Sequence, residues 1–206
     1  MLLRRFVKQF SKGDKKGISV STGFILLSAA ALLIVPLNWL CAWLLALVIH
    51  ELCHYVCIRI CGGNVSSLRL GLRGIVMETE PLSLGREAVC AYAGPIGALS
   101  VLLIAKYLPR TAICTIVLSG YNLLPIFPLD GGRGLGCLLH KYFPEHKAQC
   151  IQRYIEYGVI LSVAIVAVYA VTRLGLGIMP AVIAACLFVR SKGIKFPCKI
   201  CRLGLQ

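Results

Sequence analysis

Residues 39–61 read WLCAWLLALVIHELCHYVCIRIC. About 20 predominantly apolar residues in a helix cross the hydrocarbon core of a bilayer, and this stretch has that length and character. Its second half nevertheless carries His50, Glu51 and His54. A charge near the bilayer midplane costs roughly 2.5–3.5 kcal/mol on insertion scales, so ionisable groups kept there mark function or pairing. His50 and His54 are four residues apart. On a helix both project from one face, with Cβ atoms about 5–6 Å apart. Two imidazoles so placed suit one zinc ion at about 2.0–2.1 Å. Glu51, the next residue along, can serve as general base toward a water at that metal. The structural alternative is that the two histidines simply hydrogen-bond to neighbouring helices.

The rest of the chain agrees with a membrane setting. Of its 206 residues 58% are hydrophobic and 15% charged, against about 25% charged in a soluble chain. The mean hydropathy is +0.83. The net charge of +14 lies between apolar runs, which suits lipid headgroups and topology better than nucleic acid. No groove-reading motif is present, so nucleic acid is excluded as a partner. The eleven cysteines fall mostly inside apolar segments, where thiols behave as small hydrophobes. Cys53, Cys57 and Cys61 share one helical face, which reads as helix packing. Cys198 and Cys201 form a lone CxxC, read as an incidental pair or half of a shared metal site.

The apolar runs predict an all-α polytopic membrane protein of about six transmembrane helices with a short β-hairpin after the second. The spans are expected at 18–37, 39–61, 88–107, 111–122, 154–171 and 176–189, the first of them uncleaved. Residues 1–16 form a basic N-terminus, 17–190 the transmembrane domain and 191–206 a basic tail. Residues 65–86 alternate apolar and polar around Gly71 and Gly74, the pattern of a hairpin near the surface. Residues 130–153 read as a polar loop, with Gly132, Gly134 and Gly136 giving a flexible turn. Of the 22 Lys and Arg residues, 19 fall in 1–16, 59–86, 133–153 and 190–202. With six spans these segments share one side, so the positive-inside rule puts both termini in the cytoplasm.

A catalytic zinc takes three protein ligands and an open fourth position. Asp130 is the best third ligand. It follows span 4, which Pro125 and Pro128 break, and both spans 2 and 4 run outside to inside, so Asp130 and the histidines share the cytoplasmic half. Irregular backbone at that depth is tolerated where it lines a wet cavity. Asn122, at the break, is expected either to hydrogen-bond substrate or to join helices.

Three segments together carry a resemblance: His50-Glu51-Leu52-Cys53-His54, Ala93-Gly94-Pro95 and the run from Asn122 through Pro125, Pro128 and Asp130 to Gly131-Gly132-Arg133. The chain resembles the site-2 protease family of intramembrane zinc metalloproteases, over roughly residues 18–190. Its compact form most resembles the bacterial sporulation type that processes a membrane-tethered sigma-factor precursor. The resemblance implies one Zn2+ held by His50, His54 and Asp130, Glu51 as the base, and Asn122 positioning substrate. It also implies a multi-pass protein of the bacterial cell membrane, a membrane-tethered protein as substrate, and a possible membrane regulatory partner. Two other readings compete: a catalytically inactive relative that binds or chaperones a membrane protein, and a metal or proton transporter. A transporter would distribute polar residues over several spans, whereas here they cluster at one depth.

Overall fold

The computed structural model describes residues 18–22, 31–33, 35–71, 74–173 and scattered positions from 175 to 188. Helix α1 spans Leu37–Ile60. Pro36 precedes its first turn, where its fixed φ and missing N–H do no harm. The helix ends in a Schellman motif: the Gly63 N–H donates to the Ile58 carbonyl at 2.9 Å and the Gly62 N–H to that of Arg59 at 3.1 Å. Gly62 sits at φ +82° to make this closure, a conformation that costs glycine least.

Three strands form one sheet in the order β1-β2-β3. β1 (Ile18–Val20) runs parallel to β2 (Val65–Gly71), pairing Ile18 with Leu68. β2 runs antiparallel to β3 (Gly74–Thr79), with Leu68 opposite Met77 and Gly71 opposite Gly74. Ile18–Val20 therefore does not open a transmembrane helix as expected. Its β-branched ends suit a pleated strand, and β2 supplies the hydrogen-bonding edge.

Helix α2 spans Leu84–Ala98 and continues as a 3-10 segment, Leu99–Ile104. Helix α3 spans Pro109–Asn122. After the broken stretch, helix α4 runs from Asp130 to Tyr142 and helix α5 from Glu145 to Thr172. The polar loop expected at 130–153 is thus two helices. The glycines that suggested a loop are the means of packing α4, as shown below.

Among the described residues, three helices are long and apolar enough to cross a membrane: Leu37–Ile60, Leu84–Ile104 and Glu145–Thr172. The expected count of six is not reached there. α3 has 14 residues and stops at Asn122, because Pro125 and Pro128 lie just beyond. Residues 23–30 and 34 of the expected first span, most of the last span and both basic termini fall outside the described residues. The three long helices present large apolar side chains outward, among them Val48, Leu52, Leu161, Ile165 and Val166. Such a continuous apolar surface needs a nonaqueous neighbour, and the chain is a membrane protein. Inside, Ile126 and Leu129 of the broken stretch pack with Ile160 and Leu187.

Candidate metal centre

His50 and His54 lie in the second half of α1, with His50 buried and His54 half-buried. About ten residues separate His50 from the end of α1, a rise of about 15 Å at 1.5 Å per residue. Their rings meet edge to face at 4.8 Å between centroids. Asp130, the first residue of α4, comes to the same point. The His50 Nε2 lies 3.1 Å from the Asp130 Oδ2, and the His54 Nε2 lies 3.2 Å from it. The two Nε2 atoms are 3.2 Å apart. Donors at 2.0–2.1 Å from one tetrahedral centre are about 3.3 Å apart, so the three atoms are spaced as ligands to a single ion.

Proton accounting favours a cation over plain hydrogen bonding. His54 Nδ1 lies 2.8 Å from the Cys90 carbonyl oxygen. That oxygen only accepts, so Nδ1 carries the hydrogen and a neutral ring has its lone pair on Nε2. The lone pair faces a carboxylate oxygen and a second imidazole nitrogen. His50 Nδ1 is buried without a hydrogen-bond partner among the described residues. One shared proton cannot satisfy three mutual contacts; an ion between them can. A carbonyl on the far nitrogen of a ligating histidine is the usual outer-shell arrangement. The group His50, His54 and Asp130 could therefore hold a metal.

The glycines explain how Asp130 reaches this point. Gly131 and Gly132 follow it in the first turn of α4 and are buried. A Cβ at Gly131 would overlap the backbone of Leu123 and lie 2.7 Å from the Leu124 carbonyl oxygen; one at Gly132 would overlap the Ile126 and Phe127 backbone. Helix α4 thus lies directly on the broken stretch, backbone to backbone. The Tyr92 hydroxyl donates to the Gly131 carbonyl at 3.3 Å and the buried Gln152 amide to that of Gly132 at 3.0 Å. Glu156 accepts the Phe127 N–H at 3.0 Å and the Gln152 amide at 3.3 Å, which ties the broken stretch to α5. Gly132→Ala must push fixed backbone apart. We expect it to lower stability by about 1–3 kcal/mol and to reduce bound metal, whereas Gly120→Ala, exposed in α3 with no atom near the added Cβ, should leave stability unchanged or raise it by up to about 1 kcal/mol. Thermal melts in detergent with metal analysis check both.

A cleft of about 360 Å³ opens beside the three residues. Glu51, His54, Asp130 and Arg133 line one part, and Met77 and Thr79 of β3 another. Asn122 is not brought to this cleft. Its amide donates to the Leu118 carbonyl of its own helix at 3.0 Å. Two contributors were not expected as such: Cys90, whose carbonyl orients His54, and Gly94. Only the Gly94-Pro95 pair hinted at the latter. The space Gly94 leaves is filled by the His54 ring.

No protein-family model and no curated protein matches the sequence. Among solved structures, the chain is similar to the site-2 protease from Methanocaldococcus jannaschii, with a TM-score of 0.56 and 20% sequence identity over 87% of this chain and 91% of that one. In the arrangement of its helices, this chain has the fold of that site-2 protease.

Proposed function

We propose that the chain is an intramembrane zinc metalloprotease of the site-2 type, cutting a membrane-tethered regulatory protein within or near its transmembrane segment. The observation that carries this reading is the convergence of three ligand atoms, 3.1–3.2 Å apart, where the start of α4 meets the apolar helix α1, beside Glu51 in an open cleft. His50, His54 and Asp130 would hold one Zn2+, which would supply Lewis-acid polarisation of a water and of the scissile carbonyl. Glu51 takes the water's proton and returns it to the leaving amine. Cys90 keeps the His54 ring in the tautomer that turns the Nε2 lone pair toward Asp130 and His50. Arg133, on the cleft wall, supplies positive charge toward the substrate backbone.

Substrate presentation follows from β3, which is the outer strand of its sheet and reaches the cleft through Met77 and Thr79. A substrate helix must unwind before its backbone is accessible, and an unwound segment can pair with a free strand edge. Counted over six spans, the charge asymmetry of the loops supports both termini in the cytoplasm, with the cleft on that side; the bacterial cell membrane follows from the resemblance. Residues 1–16 and 191–206 are its basic flanks. A sigma-factor precursor fits this reading as a substrate. Asn122, at the start of the broken stretch, helps position substrate after releasing its bond to Leu118.

The reading is tested by metal content. Protein purified in mild detergent is expected to carry zinc, to lose cleavage of a co-expressed substrate on chelation, and to regain it on adding Zn2+. His54→Ala should carry one equivalent of zinc per chain less than wild type. A wild-type protein without zinc that still binds a membrane partner would instead establish the inactive, chaperone-like role.

A further inference from the structure

Two groups of three metal-ligating side chains converge among the described residues: the centre above, and Cys57, Cys61 and Cys90. We propose that these three thiols form a second metal site, which binds a thiophilic d10 cation. Cys57 lies on the last turn of α1 and Cys61 caps its end, three and seven residues beyond His54, and Cys90 faces them from α2. Their three sulfur atoms lie within 4.8 Å of one another. Sulfurs at about 2.3 Å from a common ion are roughly 3.8–4.0 Å apart, so side-chain rotations of less than about 1 Å close the site. Soft thiolate donors select ions such as Zn2+, Cu+ and Cd2+ over hard cations.

Packing alone does not explain the convergence. A thiol used as a small apolar group has no need of other thiols, and among the described residues Cys41, Cys53, Cys114 and Cys150 join no such group. Cys90 is buried while Cys57 and Cys61 are half-buried, so the site is formed in the helix interface and is open to an ion from the end of α1. Positive charge stands next to it. The Arg86 guanidinium donates to the Cys61 carbonyl at 3.3 Å, which offsets the negative charge of three thiolates around a divalent ion. The site also touches the first centre through one residue, because the carbonyl of Cys90 orients His54 while its thiol joins the cluster.

The proposal does not rest on protease activity, and its test reads sulfur directly. The parent is full-length protein carrying Cys198→Ser and Cys201→Ser, so that the tail pair contributes nothing. Under reducing conditions it is titrated with Cd2+, following the ultraviolet sulfur-to-cadmium charge-transfer band. The band is expected to saturate at one Cd2+ per chain. It should be lost in Cys57→Ala/Cys61→Ala, and persist in Cys114→Ser and in His54→Ala, which removes a ligand of the first centre only. Circular dichroism and monodispersity in detergent report whether each variant is folded. A folded parent without the band, or a folded Cys57→Ala/Cys61→Ala variant that keeps it at one equivalent, overturns the proposal.

Discussion

Glu51→Gln is expected to leave the fold and zinc content unchanged and to slow peptide hydrolysis by about 10²–10⁴-fold, the usual contribution of a positioned acid–base group. The glutamine amide has the volume of the carboxylate but cannot take a proton from water. Glu51 is no member of the ligand triangle; it lines the cleft beside His54 and Asp130. Metal analysis should therefore separate it from His54→Ala, which loses the ion as well as the activity. Membranes from cells carrying Glu51→Gln should accumulate an uncut precursor that wild-type cells do not. Full cleavage by Glu51→Gln would remove it from the role of base, even if zinc were confirmed.

The second large effect is expected at a residue with no chemistry of its own. Gly94 is buried in α2, and a Cβ there would overlap the ring of His54. The ring has no room to retreat. Its Nδ1 is held at 2.8 Å by the Cys90 carbonyl, and its Nε2 lies 3.2 Å from Asp130. Gly94→Ala must therefore either turn the ring away from its partners or move α2 off α1. We expect zinc occupancy to fall several-fold, activity to fall at least as far as occupancy, and stability to drop by about 1–3 kcal/mol. Zinc per chain and melting temperature measured on one preparation are the relevant readouts. Normal occupancy with a normal melting temperature would show that α1 and α2 are less closely packed than described.

These two variants differ in how they could have been foreseen. The pairing of Glu51 with His50 and His54 follows from helical periodicity alone: residues four apart share a face wherever the helix lies. The penalty for ionisable groups in an apolar run then marks them as functional. Asp130 needed one more step. Its match to the histidines in depth came from the order of spans and the distribution of positive charge, and the structure brings its carboxylate to the pair. The outward apolar surface of α1 and α5 was likewise evident in composition.

Gly94, Gly131 and Gly132 were not legible in this way. Read locally, a Gly-rich stretch after a broken helix predicts a loop, because glycine disfavours helix by about 1 kcal/mol relative to alanine. The α4 backbone is helical because tertiary packing against 123–127 outweighs that preference, and it can pack so closely only without side chains. The strand at Ile18–Val20 depends on a partner about 50 residues away. The meeting of Cys90 with Cys57 and Cys61, and of its carbonyl with His54, joins α1 to α2 across the two strands between them. By itself, then, the sequence determined the membrane setting and the helix-borne half of the site, since hydrophobicity and residue spacing act over a few turns. The tertiary structure alone decided which backbone lies against which ligand and where the thiols converge, because those depend on contacts between segments whose separation along the chain carries no local signal.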